Sequence, residues 1–251
     1  MAERQSVIEL RDVPAALGFL SRLPIAVNGE WAAARGARIV WAYPIAGAVL
    51  GAFVVTLAAL LALWLPSSMA AAFALAGYVA LTGALHEDGL ADTADGLWGG
   101  WTRERRLQIM KDSRIGAYGV IALTLSLLLR WLGFTVLVEG QAWWALAAIP
   151  AATRAAMAPL MALPQARPGG VSAQVGRPLN AAIGISVTLG LIALAPLGTP
   201  AIALLISIAV GASAMALIAS AKIRGQTGDI LGATQQICEI LALSVAVALL
   251  T

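Results

Sequence analysis

The chain has little that most enzymes use. It holds one cysteine, one histidine, and only 12% charged residues in 251 positions. The single cysteine, Cys238, excludes an intramolecular disulfide and, lying in an apolar run, gives no information on redox compartment. The single histidine, His86, stands off the aspartate face described below, so no Ser-His-Asp arrangement is available. No glycine-rich loop ends in Gly-Lys-Ser/Thr, which excludes a nucleoside triphosphatase of that kind. No basic block is interleaved with aromatics, so the net charge of +3 does not point to nucleic acid as a partner. Residues 1–38 contain no apolar core of a signal peptide.

Hydrophobic residues are abundant, at 60% of the chain with a mean hydropathy of +0.86. Soluble domains carry about 25% charged residues, so half that value identifies an integral membrane protein. Seven apolar segments, each near the ~20 residues needed to cross a bilayer, are predicted at 39–65, 69–87, 116–138, 142–163, 180–197, 201–221 and 231–250. They are preceded by a lead segment, 1–38, in which Val13 to Leu23 has the spacing of a short amphipathic helix on the membrane surface, ended by Pro24. The connections alternate. Pro66-Ser67-Ser68, Glu139-Gly140-Gln141 and Gly198-Thr199-Pro200 carry no Lys or Arg, whereas 14 of the 16 basic residues lie in the lead segment and the other loops. The positive-inside rule makes that side the cytoplasm, with the N-terminus in and Thr251 out. The predicted fold is an all-α membrane bundle of about seven helices forming one domain, 1–251.

Residues 86–96 concentrate the chemistry. Five of those eleven positions are His86, Glu87, Asp88, Asp92 and Asp95. On a helix Asp88, Asp92 and Asp95 fall within an arc of roughly 60°. Three carboxylates on one face repel one another and call for a counter-charge. A divalent cation supplies it, and oxygen-only ligands suit Mg²⁺ or Mn²⁺. The active-site loop, about 86–118, also holds Lys111, Asp112 and Arg114. Gly99-Gly100 is predicted as a left-handed end of the aspartate helix, and Thr102 as the cap of a short helix from Arg103. The small residues of Gly116-Ala117-Tyr118-Gly119 would let backbone approach a ligand closely. Asp229, opening the last segment after Gly228, is either a helix-start carboxylate or a further metal ligand. Within the apolar segments, Arg154 and Glu239 could pair, while Arg130 reads as an outer-side anchor.

An acidic cluster beside Lys111, Arg114 and Arg224 is the inventory for phosphoryl or pyrophosphate chemistry. CDP-alcohol phosphotransferases and intramembrane prenyltransferases use helix-borne aspartates, but their full patterns are missing here. A cation-coupled transporter would place carboxylates near the bilayer midplane.

His86-Glu87-Asp88-Gly89-Leu90-Ala91-Asp92-Thr93-Ala94-Asp95-Gly96, followed by Lys111-Asp112-Ser113-Arg114-Ile115-Gly116-Ala117-Tyr118-Gly119, resembles the cobalamin synthase family, adenosylcobinamide-GDP ribazoletransferases. Phe19-Leu20-Ser21-Arg22-Leu23-Pro24, Tyr43-Pro44-Ile45-Ala46-Gly47 and Thr227-Gly228-Asp229-Ile230-Leu231-Gly232-Ala233 extend the resemblance across nearly the whole chain, with Glu239 near its end. It implies a Mg²⁺-dependent enzyme of the bacterial inner membrane, with its site facing the cytoplasm. The implied reaction joins adenosylcobinamide-GDP to α-ribazole, or its 5′-phosphate, with release of GMP. The metal ligands are then expected among Asp88, Asp92, Asp95, Glu87, Asp112 and Asp229. Lys111 and Arg114, with Arg224, are expected on the phosphates. The general base is expected to be Asp88 or Asp92, with His86 or Glu87 as alternatives. Arg154 and Glu239 are expected to support the bundle, and a homo-oligomer is left open.

Overall fold

The computed structural model describes residues 6–251; Arg4, counted above among the basic residues of the lead segment, lies outside them. The described residues are helical, with no strand beyond an isolated bridge between Gln165 and Gln226.

The lead segment does more than lie on a surface. Helix α1 (Asp12–Leu20) ends at Ser21 in extended conformation, ahead of Pro24, and buries Ala15, Ala16 and Leu20. Helix α2 (Gly29–Arg35) opens on Asn28, whose side chain accepts from the Trp31 N–H. Arg35 Nε donates to Asp12 Oδ1 at 2.8 Å and Trp41 Nε1 to Asp12 Oδ2 at 2.7 Å, with both members of the ion pair buried. Burial raises the pKa of Asp12, but the hydrogen bonds from Arg35 and Trp41 outweigh it and hold the carboxyl below its ordinary value. Beside the expectation of a surface helix, α1 is docked onto the bundle by this buried charge pair.

The bundle continues with α3 (Tyr43–Leu61), α4 (Ser67–Thr82), α5 (Leu85–Gly99), α6 (Arg103–Ile109), α7 (Ala117–Glu139), α8 (Trp143–Ala155), α9 (Met157–Leu160), α10 (Val171–Val175), α11 (Asn180–Leu194), α12 (Pro200–Ile223) and α13 (Gly228–Leu250). Among the described residues, five helical stretches are long and apolar enough to cross a membrane, or six if the bent pair α4–α5 counts as one. The expectation of seven is reduced for a local reason. The 142–163 segment is interrupted at Ala156 and carries Pro150 inside α8, so neither piece is long enough alone.

The second segment also ends earlier than its apolar run predicts. Gly83 and Ala84 both take left-handed backbone, φ 64° and 55°, and α5 leaves α4 at 85°. Spanning helices tilt only about 20° from the membrane normal on average. At right angles to α4 and rich in acid, α5 packs against α7 and α13, with Asp95 at the start of α7 and Glu87 at Arg130 farther along it.

Candidate active site

Helices α5 and α13 touch through glycine. A Cβ on Gly89 would stand 2.9 Å from the Asp229 carbonyl oxygen, and one on Gly232 would stand 3.3 Å from the Cα of His86. Any side chain here would push the helices apart. Their contact brings Asp88 and Asp92 to Asp229, although nearly the whole bundle lies between them in sequence. Thr227 caps α13 by accepting from the Ile230 N–H, so Asp229 is spared that task. Asp88 is exposed, while Asp92 and Asp229 are half-buried. Burial, then the charges of Asp229 and Asp88, push the Asp92 pKa up to about 7. Arg167, from the segment between α9 and α10, supplies counter-charge: its Nη2 lies 3.0 Å from Asp229 Oδ2.

The other expected ligands are engaged elsewhere. Asp95 accepts from the Gly116 N–H at 2.7 Å and the Gly119 N–H at 2.9 Å, one through each carboxylate oxygen. It therefore satisfies the free N–H groups that open α7. A Cβ on Gly116 or Gly119 would stand 2.5 or 2.4 Å from its oxygens. The small residues thus admit the Asp95 carboxylate, not a ligand. Asp112 is exposed and bound to Arg114, with Nη2–Oδ2 at 2.8 Å, and those hydrogen bonds hold its pKa down to about 2. The Arg114 side chain makes this pair in solvent, 87% exposed. Lys111 and Arg224 are exposed, Arg224 in left-handed backbone at the end of α12. Gly100 is extended, not left-handed. Arg103 Nε donates to the Ile223 carbonyl, Arg106 Nη1 to the Lys222 carbonyl and Lys222 Nζ to the Leu97 carbonyl. These bonds tie α5 and α6 to the C-terminal end of α12.

Glu87 faces the bundle interior. Its Oε1 lies 2.6 Å from Arg130 Nη1, and Arg130 Nε lies 2.9 Å from Glu239 Oε1. Arg130 is therefore no outer anchor but a buried partner of two carboxylates. Arg154 reaches Glu239 only through Tyr78, donating to its hydroxyl at 2.7 Å while that hydroxyl donates to Glu239 Oε2 at 3.1 Å. Two arginines and two glutamates balance, as charges at this depth must.

A cavity of about 290 Å³ opens beside Asp88, Asp229 and Arg167, with Phe19, Tyr43 and Met161 on its apolar wall. His86 lines it; the ring is buried and Nε2 has no hydrogen-bond partner. Burial, then the charges of Arg154 and Arg130, push the His86 pKa well below its ordinary value.

Among the described residues no three His, Cys, Asp or Glu side chains are grouped closely enough to hold a metal ion. What fits is the donor chemistry. The donors are oxygen only, and the raised Asp92 pKa reports carboxylates short of positive charge. Mg²⁺ needs one or two carboxylates beside substrate phosphates and water.

A helical membrane bundle with an aspartate-bearing helix docked on a glycine-aspartate helix start defines an integral-membrane protein with an acidic site at its polar face. Residues 12–247 match the family described as cobalamin-5-phosphate synthase, and the chain belongs to that family. It is 44% identical over 248 residues to an adenosylcobinamide-GDP ribazoletransferase of Bradyrhizobium diazoefficiens, covering 95% of this chain and 94% of that protein. A protein of the same name from Azorhizobium caulinodans is 46% identical over 245 residues, covering 92% and 93%. One from Brucella canis is 41% identical over 253 residues, covering 92% and 94%. No solved structure matches the chain.

Arg167 joins the acidic face without having been expected there: in the sequence it counted only among the basic residues of the loops.

Proposed function

We propose that the face formed by Asp88, Asp92 and Asp229 is the Mg²⁺-dependent site of an adenosylcobinamide-GDP ribazoletransferase of the bacterial inner membrane, open to the cytoplasm. The observation that carries this is the α5–α13 crossing, which sets three carboxylates beside Arg167 at one end of the bundle. Asp88 and Asp229 would hold Mg²⁺, with Mn²⁺ sharing the same donor preference. The bound ion would neutralise phosphate charge in the way that favours displacement at phosphorus. A ribose hydroxyl of α-ribazole, one that its 5′-phosphate also leaves free, attacks the cobinamide-linked phosphorus, and the phosphoanhydride P–O bond breaks with its electron pair leaving on GMP. Asp92, with a pKa near the working pH, accepts the hydroxyl proton. Arg167, rather than Arg114, donates to the phosphates once Asp229 is otherwise neutralised. Lys111 and Arg224 remain basic groups of the same face.

The test is GMP release from adenosylcobinamide-GDP and α-ribazole by detergent-purified protein. Release is expected to stop with EDTA, to return with Mg²⁺, and to be abolished in Asp92→Asn. Release that ignores EDTA, or a near wild-type rate in D92N, would overturn the assignment.

A further inference from the structure

The cavity beside the acidic face carries more polar chemistry than the transfer step uses. Gln226 is fully buried at its wall; its Oε1 accepts from Ser172 Oγ at 2.7 Å, while its Nε2 has no partner. His86, 1% exposed, lines the same space, and its Nε2 has no hydrogen-bond partner. A buried polar atom left without a partner is costly, so these atoms are a standing demand for a ligand atom. One side of the wall is apolar. Phe19 and Tyr43 stack with ring centroids 6.2 Å apart, and Met157 and Met161 add soft thioethers.

We propose that this cavity seats the flat aromatic base of the acceptor nucleoside, with Gln226 recognising its one unsubstituted ring nitrogen. The assignment rests on the transferase reading above and names which substrate occupies which space. At about 290 Å³ the cavity sits at the foot of the ~300–1,000 Å³ range of small-molecule sites. That admits a fused bicycle and excludes a corrin ring. A benzimidazole brings two fused apolar rings and a single ring-nitrogen acceptor, which the Gln226 amide can satisfy because that nitrogen only donates. With the base inside, the ribose lies toward Asp88 and Asp229, which line the same cavity.

The test separates the two substrates kinetically, in detergent or nanodiscs. Gln226→Met is expected to raise KM for α-ribazole about tenfold, the scale for a lost hydrogen bond, with KM for adenosylcobinamide-GDP unchanged. With an indole nucleoside, which carries CH in place of the ring nitrogen, wild type and Q226M are expected to give equal KM. Val175 is only half-buried at the cavity wall, and Val175→Phe, which fills space, is expected to raise KM for both nucleosides. Equilibrium dialysis of α-ribazole against Asp92→Asn, alone and with V175F, measures occupancy without turnover. Variants that raise KM for adenosylcobinamide-GDP, or leave both KM values at wild type, overturn the subsite while the transferase reading stands. A wild-type protein that binds the nucleoside but releases no GMP overturns the transferase reading while the subsite stands.

Discussion

Asp92 and Asp95 sit one turn apart on α5, yet different partners give them opposite work. Asp95 has two backbone N–H groups of α7 on its oxygens, so Asp95→Ala uncaps that helix and is expected to cost about 1–2 kcal/mol, read as a lower melting temperature in detergent. Asp92 faces other carboxylates, so Asp92→Asn relieves repulsion and is expected to leave the melting temperature equal or higher while turnover is lost. A D95A protein as stable as wild type would remove Asp95 from its capping role. The spacing of Asp88, Asp92 and Asp95 placed all three on one face of a helix, and that much was legible from periodicity. Which of them stays open was not, because the deciding groups, the Gly116 and Gly119 N–H donors, lie on another helix. Ala84 offers a second residue-scale test. It holds left-handed backbone at φ 55°, which costs an L-residue roughly 1–2 kcal/mol. Ala84→Gly is expected to raise stability by about 1 kcal/mol without altering the 85° turn.

At the scale of elements, the aspartate helix is held by what lies beneath it. Glu87 on α5, Arg130 on α7 and Glu239 on α13 form one buried chain of ion pairs, so three helices share a single charge balance. Arg130→Met leaves two buried carboxylates without their cation and is expected to cost about 3–5 kcal/mol. Adding Glu87→Gln to R130M, which leaves Arg154 and Glu239 to balance each other, should recover much of that loss. A double variant no more stable than R130M would show that the charges are not coupled. The Glu87–Arg130 pairing could not be read from the sequence, since position along an apolar run does not say which way a side chain faces. The turn at Gly83-Ala84 was hidden for the same reason, inside a run whose hydropathy continues unbroken. The α1 dock titrates differently. Asp12 is held below the ordinary aspartate value of 3.8, so its contribution is present above that pH and is lost as pH falls through the lower folded value. Acid below about pH 4 is expected to loosen the 6–42 region first, and Asp12→Asn should abolish that pH dependence in hydrogen exchange.

At the scale of the whole molecule, the apolar runs made the bundle legible and the distribution of Lys and Arg set its expected orientation. The two uninterrupted ends of that argument are the exposed Ser113, in the loop beside the acidic face, and the exposed Thr199, in a loop without basic residues. Five or six crossing stretches, rather than seven, leave the parity of the chain to be measured directly. The native thiol does not interfere, because Cys238 is free and buried. Ser113→Cys and Thr199→Cys can therefore be labelled one at a time in intact and opened cells with a membrane-impermeant maleimide. If 14 basic residues face the cytoplasm as the positive-inside rule requires, Ser113→Cys reacts only after the cells are opened and Thr199→Cys reacts in intact cells. The reverse pattern would turn the acidic face outward, away from cytoplasmic nucleotide, and would exclude GMP transfer at that face. Equal labelling of both in intact cells would place the two loops on one side and require one of the apolar stretches, with α8–α9 the first suspect, to enter and leave the bilayer on the same face.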